Sequence, residues 1–180
     1  RKESWQMKKL EEYVLSIPDC PKEGILFRDV TSVLADPQGL RLAVDSLQDC
    51  LDGLDFDAVA GIESRGFIFG MPIAYNLGKP FVPIRKAGKL PRKTVSQTYD
   101  LEYGTATIEM HADALLPGQR VVLVDDLLAT GGTALAASRL VEAVGARTVR
   151  MLFLMELAGL QGRMRLKDYD VHSVIRYDGK

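Results

Sequence analysis

An unbroken apolar run, Val121-Val122-Leu123-Val124, ends in two adjacent carboxylates, Asp125 and Asp126, and continues as Leu127-Leu128-Ala129-Thr130-Gly131-Gly132-Thr133. A run that is apolar on both faces suits a central parallel strand, because helices must cover it above and below. Strands of that kind present ligands at their carboxyl ends, where the two acids stand. Behind them, Gly131 and Gly132 let backbone approach a ligand closely, and Thr130 and Thr133 add hydroxyls. The helix-like pattern that follows supplies unpaired N–H groups and the positive end of a dipole. Carboxylates for sugar hydroxyls beside a cradle for a phosphate describe a site for a phosphorylated sugar. Asp125-Asp126 alone fits a structural or generic ligand role equally well, and the loop immediately behind it makes the signal specific. The chain contains no GxxxxGK[ST] and no GxGxxG, which argues against a P-loop nucleotide hydrolase or a dinucleotide-binding enzyme.

The remaining pattern is that of one α/β domain. A first helix is expected from a Ser4 cap, with Met7, Leu10, Val14 and Ile17 on one face before Pro18 stops it. Residues Asp19 to Asp29 are turn-rich and end in the exposed-looking Ile25-Leu26-Phe27-Arg28. Helices are expected over Pro37 to Leu51, Phe67 to Leu77 (closed by Gly78) and Gly132 to Val144. Buried strands are expected over Asp57 to Ile62, Phe81 to Ile84, Val121 onward, Thr148 to Leu154 and Val171 to Ile175. Strand, helix, strand in succession implies right-handed parallel crossovers. The middle changes character: Arg85 to Lys93 holds five basic residues and no acid, and reads as a mobile loop. Thr94 to Tyr99 and Thr105 to His111 then read as a strand pair.

With 180 residues and a net charge of −1, the chain is about one domain long and carries no global basic field for nucleic acid. No apolar run is long enough to cross a membrane, and the polar start Arg1 to Gln6 lacks the centre of a signal peptide. Cys20 and Cys50 have no metal-ligand spacing and are expected to be buried reduced thiols, so a cytoplasmic location is expected. His111 and His172 likewise show no ligand spacing and read as surface or packing residues.

Val121 to Thr133 resembles the phosphoribosyl-diphosphate signature of the type I phosphoribosyltransferases. Phe27-Arg28-Asp29, Glu63-Ser64-Arg65-Gly66-Phe67, Ile84-Arg85-Lys86-Ala87-Gly88-Lys89-Leu90-Pro91, Leu101-Glu102-Tyr103-Gly104 and Met155-Glu156-Leu157 resemble, in the same order, the adenine branch of that family. The resemblance implies a central, mostly parallel sheet flanked by helices, a small N-terminal hood over about residues 1–35 and an inserted flexible flap over about 85–110. It implies conversion of adenine and 5-phosphoribosyl 1-diphosphate to AMP and diphosphate in purine salvage. Mg²⁺ would be bound mainly through the diphosphate substrate, with no protein ligand directly assigned, and the protein would be a homodimer.

Residue by residue, the resemblance assigns the 5-phosphate to Ala129, Thr130, Gly131, Gly132 and Thr133, and the ribose hydroxyls to Asp125 and Asp126. It assigns the diphosphate to Arg65, Arg85, Lys86 and Lys89, whereas Arg92 and Lys93 read as solvated. A lone loop arginine such as Arg65 is otherwise usually a surface charge. The family's loop often holds a non-proline cis peptide, which the resemblance would put at Glu63-Ser64. Glu102, beside Tyr103 on the flap, becomes the candidate for proton transfer at the purine imidazole. Leu26, Phe27, Arg28 and Leu157 become the adenine slot, although composition alone reads Leu26, Phe27 and Leu157 as core. Two other readings stay open: a transferase for another base, and a regulator that senses phosphoribosyl diphosphate, which would need a nucleic-acid-binding element.

Overall fold

The computed structural model describes residues 7–179. Two short strands, β1 (Leu15–Ile17) and β2 (Phe27–Asp29), pair antiparallel and stand apart from the main sheet. The helices α1 (Val30–Ala35) and α2 (Pro37–Asp49) follow directly. Asp29 caps the first by accepting from Thr31 N–H at 2.9 Å, and Asp36 caps the second by accepting from Gln38 N–H at 2.8 Å, with Pro37 in the first turn. The chain then runs β3 (Ala58–Ile62), α3 (Arg65–Leu77), β4 (Phe81–Lys86), β5 (Thr94–Asp100), β6 (Thr105–His111), β7 (Arg120–Leu128), α4 (Gly132–Ala143), β8 (Arg147–Leu157), α5 (Gly162–Arg165) and β9 (Val171–Tyr177).

The main sheet has seven strands in the order β5-β6-β4-β3-β7-β8-β9. From β4 to β9 all neighbours are parallel, while β5 and β6 extend the edge antiparallel. β3 is buried at every position and β7 at Val121 to Val124, as expected for strands covered on both faces. α2 and α3 cover one face, around Leu47, Phe69 and Ile73, and α4 covers the other, around Leu140 and Val141. Each such fully buried aliphatic side chain contributes about 1.5–3 kcal/mol.

Three expectations need correction. The first helix does not form: Leu10–Tyr13 is a single tight turn and Leu15–Ile17 is a strand. Pairing with β2 satisfies that backbone; of the expected stripe, Leu10 and Val14 are buried in the core while Met7 and Ile17 face solvent, so the four do not share one helical face. Its cap, Ser4, lies outside the described residues. The basic segment does not begin as a loop, because Arg85 and Lys86 end β4 and pair with Glu109 and Ile108 of β6. Cys20 and Cys50 are free thiols but only partly buried. The Cys50 thiol donates to Ser46 O at 3.4 Å, and burial pushes its pKa up.

Candidate active site

Parallel pairing of Gly61 with Val124 brings the end of β3 level with Asp125, so the loop after β3 faces Asp125 and Asp126; contrary to the expectation, the two acids lie within β7, which continues to Leu128. Gly66 makes this possible. A side chain there would bring its Cβ to 2.7 Å from Val124 O and 3.2 Å from Asp125 Oδ1. The first turn of α3 therefore rests directly on β7, and Arg65 Nε donates to Asp126 Oδ2 in an ion pair. Asp126 is buried, and its N–H donates to Asp125 Oδ1 at 2.8 Å. Burial, and then the neighbouring Asp126 carboxylate, push the Asp125 carboxyl well above its usual range. The Glu63–Ser64 peptide is cis, as the resemblance implies.

β7 gives way to the loop Ala129 to Thr133 and then to α4. Gly131 occupies the left-handed region at φ 83°, and no side chain caps the helix. The first N–H groups of α4 are thus left to whatever anion the loop encloses. Asp125 and residues Leu127 to Ala134 wall a compact cavity of about 80 Å³, with Phe153 behind them. An adjoining cavity of about 340 Å³ is lined by Glu63, Arg65, Lys86, Tyr99, Asp125, Asp126 and Thr133. A third, of about 450 Å³, shares Glu63, Lys86, Tyr99 and Thr133 with it and adds an apolar wall from Ile84, Leu101 and Ile108. The structure thus joins the phosphate loop, both acids, Arg65 and Lys86 around connected space.

Arg85 is differently placed. Its Nε and Nη2 donate to Glu63 Oε2 and Oε1 at 3.3 and 3.1 Å, and Lys86 N–H donates to the same carboxylate at 2.9 Å. The Arg85 bond is the main cause of the lowered Glu63 pKa, and Lys89 lies close enough to lower it further. The basic segment therefore has balancing acids, supplied from elsewhere in the chain: Glu63 holds its start, and Glu109 accepts from Gly88 N–H at 3.2 Å. Arg92 pairs with Asp113 on the surface.

Glu102 and Tyr103 lie at the tip of the β5–β6 hairpin, outside these cavities, with Tyr103 85% exposed. Leu26 and Phe27 are not core residues: Phe27 is 44% exposed. The Arg28 guanidinium sits 4.0 Å from the Tyr177 ring centroid, and Tyr177 is the β9 partner of Leu157. One aromatic ring thereby brings β2 and the end of β8 together. Sequence reasoning missed Tyr99, Tyr177 and Glu63. Thr133 Oγ1 donates to Tyr99 Oη at 3.2 Å; only the alternation of β5 could have hinted at an inward-facing phenol.

Among the described residues no three carboxylate, imidazole or thiol groups gather as a ready cation cage. The donor set present, two adjoining carboxylates beside an anion cradle, fits a small hard cation that keeps several waters and is held largely by substrate phosphates.

A phosphoribosyl transferase domain model matches residues 29–178. An adenine phosphoribosyltransferase of Agathobacter rectalis is 66% identical over 174 residues, covering 97% of this chain and 100% of its own. The crystal structure of adenine phosphoribosyltransferase from Thermoanaerobacter pseudethanolicus superposes with a TM-score of 0.90 at 50% identity, covering 94% of this chain and 100% of its own. That of the Saccharomyces cerevisiae enzyme, complexed with an imino-altritol bisphosphate and adenine, does so with a TM-score of 0.86 at 39% identity, covering 92% and 96%. With the fold, the phosphate loop and these likenesses in agreement, the chain belongs to the adenine phosphoribosyltransferase family.

Proposed function

We propose that this pocket moves the 5-phosphoribosyl group of 5-phosphoribosyl 1-diphosphate to adenine, releasing AMP and diphosphate in purine salvage. The observation that carries the reading is the placement of Asp125, Asp126, Arg65 and the Ala129–Thr133 loop around connected cavities. The loop and the start of α4 hold the 5-phosphate. Asp125 and Asp126 grip the ribose hydroxyls and stabilise positive charge on the ribose as diphosphate leaves. Asp125 does this best once ionised, and the positive charge developing on the ribose opposes the upward push of burial on its pKa. Arg65 and Lys86 take the diphosphate. Arg85 acts through its pair with Glu63, which anchors the end of β4 under that group, and Lys89 approaches from the loop beyond. Asp125 and Asp126 stand where they would help hold Mg²⁺ bound mainly through the diphosphate, and the ion would supply shielding of the leaving group's charge.

Adenine sits against Phe27 and Leu157, with backbone near Leu26 and Arg28 reading its edge. The exposure of Phe27 supports an apolar rim awaiting a ring. Glu102 handles the imidazole proton after the hairpin carrying it and Tyr103 folds over the base, which also excludes water from the activated ribose. Ile68, Met71 and Tyr75 form an exposed apolar stripe at helical spacing on α3, which supports a homodimer. The unpaired cysteines fit a reducing compartment, the cytoplasm.

Incubation with labelled adenine, 5-phosphoribosyl 1-diphosphate and Mg²⁺ should yield AMP. Preference for hypoxanthine in competition would reassign the base, and binding of the diphosphate without turnover of any base would make the protein a sensor.

A further inference from the structure

The short helix α5 is pressed against the phosphate loop so tightly that backbone meets backbone. A Cβ on Gly162 would lie 2.5 Å from Ala129 O, and one on Gly131 would lie 2.9 Å from Gly162 O. Leu166, buried just after α5, fills the space beside Gly131. Arg163 fixes the helix from its outer side. Its Nε donates to the two oxygens of buried Glu156 at 2.7 and 3.1 Å, Nη1 to Val171 O at 2.8 Å, and Nη2 to Ser173 Oγ at 3.2 Å.

Two residues later, Arg165 projects elsewhere. Its Nη1 lies 2.9 Å from the point a Gly132 Cβ would occupy, a point also flanked by Tyr99 Cδ2 at 3.8 Å and Thr130 Oγ1 at 3.9 Å. Arg165 is exposed and, among the described residues, forms no ion pair and no hydrogen bond. A guanidinium over the first turn of α4 faces the positive end of that helix, an unfavourable arrangement that an intervening anion would reverse.

We propose that Arg165, whose guanidinium reaches the first turn of α4 beside Gly132, is a further ligand of the 5-phosphate. The inference rests on the phosphoribosyl reading of the site. Glu156 and Arg163 are then positioning residues: they hold α5 so that the Arg165 fork meets the phosphate without reorganising.

The test compares Arg165→Gln and Arg165→Lys with the wild type, titrating each with AMP and, separately, with adenine. A charge-assisted hydrogen bond predicts AMP affinity about tenfold weaker or more in Arg165→Gln, and an unchanged adenine affinity. Arg165→Lys should recover part of the loss, keeping the charge without the planar fork. In steady state, KM for 5-phosphoribosyl 1-diphosphate should rise more than kcat falls. AMP affinity of Arg165→Gln within twofold of wild type would overturn the assignment while leaving the site's reading intact. Equal losses for AMP and adenine would also overturn it, marking Arg165 as a packing residue. A wild-type protein that binds no AMP would sink the reading of the site and this inference with it.

Discussion

Thr133, in the first turn of α4, donates its hydroxyl to the Tyr99 phenol of β5 across 3.2 Å. The phenol can reverse its part. When Thr133 turns its proton to a phosphate, Tyr99 O–H can donate to the same oxygen, so Thr133 stays oriented in both states. Tyr99→Phe should therefore raise KM for 5-phosphoribosyl 1-diphosphate about two- to tenfold, the worth of one net hydrogen bond. Steady-state kinetics check it, and an unchanged KM would show that the bond orients nothing.

Asp126→Asn removes the partner of Arg65 and one of the two carboxylates proposed to grip the ribose. We expect kcat to fall about a hundredfold or more, the scale of losing one preorganised electrostatic group, while circular dichroism shows the fold retained. A near-normal rate in a folded variant would take Asp126 out of the chemistry.

Glu102→Gln tests the hairpin tip. Loss of a general acid or base typically costs about 10²–10⁴ in rate, so kcat should drop far more than adenine affinity. If adenine affinity falls while kcat holds, Glu102 only contacts the base.

Far from the pocket, Asp57 accepts from Arg120 N–H at 2.8 Å, Nε at 3.1 Å and Nη2 at 3.0 Å, and its pKa is lowered to about 2, first by the side-chain bond. A depressed folded pKa gives stability that is present above the unfolded value of about 3.9 and is lost as pH falls toward the folded one. Asp57→Asn should lower Tm at neutral pH. The gap to wild type should close between about pH 4 and pH 2, as thermal scans across that range would show; a constant gap would mean packing, not charge, is responsible.

Tyr75 is 85% exposed on the apolar face of α3. If the stripe is the interface of the homodimer proposed above, wild type should sediment as a dimer and Tyr75→Glu as a monomer, since a buried unpaired carboxylate is costly. A variant that still sediments as a dimer would move the interface elsewhere.

The central sheet was legible because its strands are apolar on both faces, and α2, α3 and α4 because each carries an apolar stripe that the core buries. α1 was not legible: with the 6 residues Val30–Ala35 it is too short to show a period. Met7, Leu10, Val14 and Ile17 misled because only Leu10 and Val14 meet the core, and pairing of β1 with β2 supplies the backbone bonds that a helix would have made. In the site, Asp125, Asp126 and the loop to Thr133 were legible as one contiguous segment. The pairing of Arg85 with Glu63 joins residues 22 apart, and Arg165 reaches Gly132 from another element. Such contacts depend on strand order and helix seating, which local pattern does not encode.

The contact between Gly66 and β7 divides the enzyme's evolvable surface. Since even a methyl group at Gly66 would strike the Val124 carbonyl at 2.7 Å, libraries that vary this seam should return mostly inactive clones. The exposed rim near Phe27 carries no comparable packing constraint, so efforts to retarget the enzyme toward modified purines belong there.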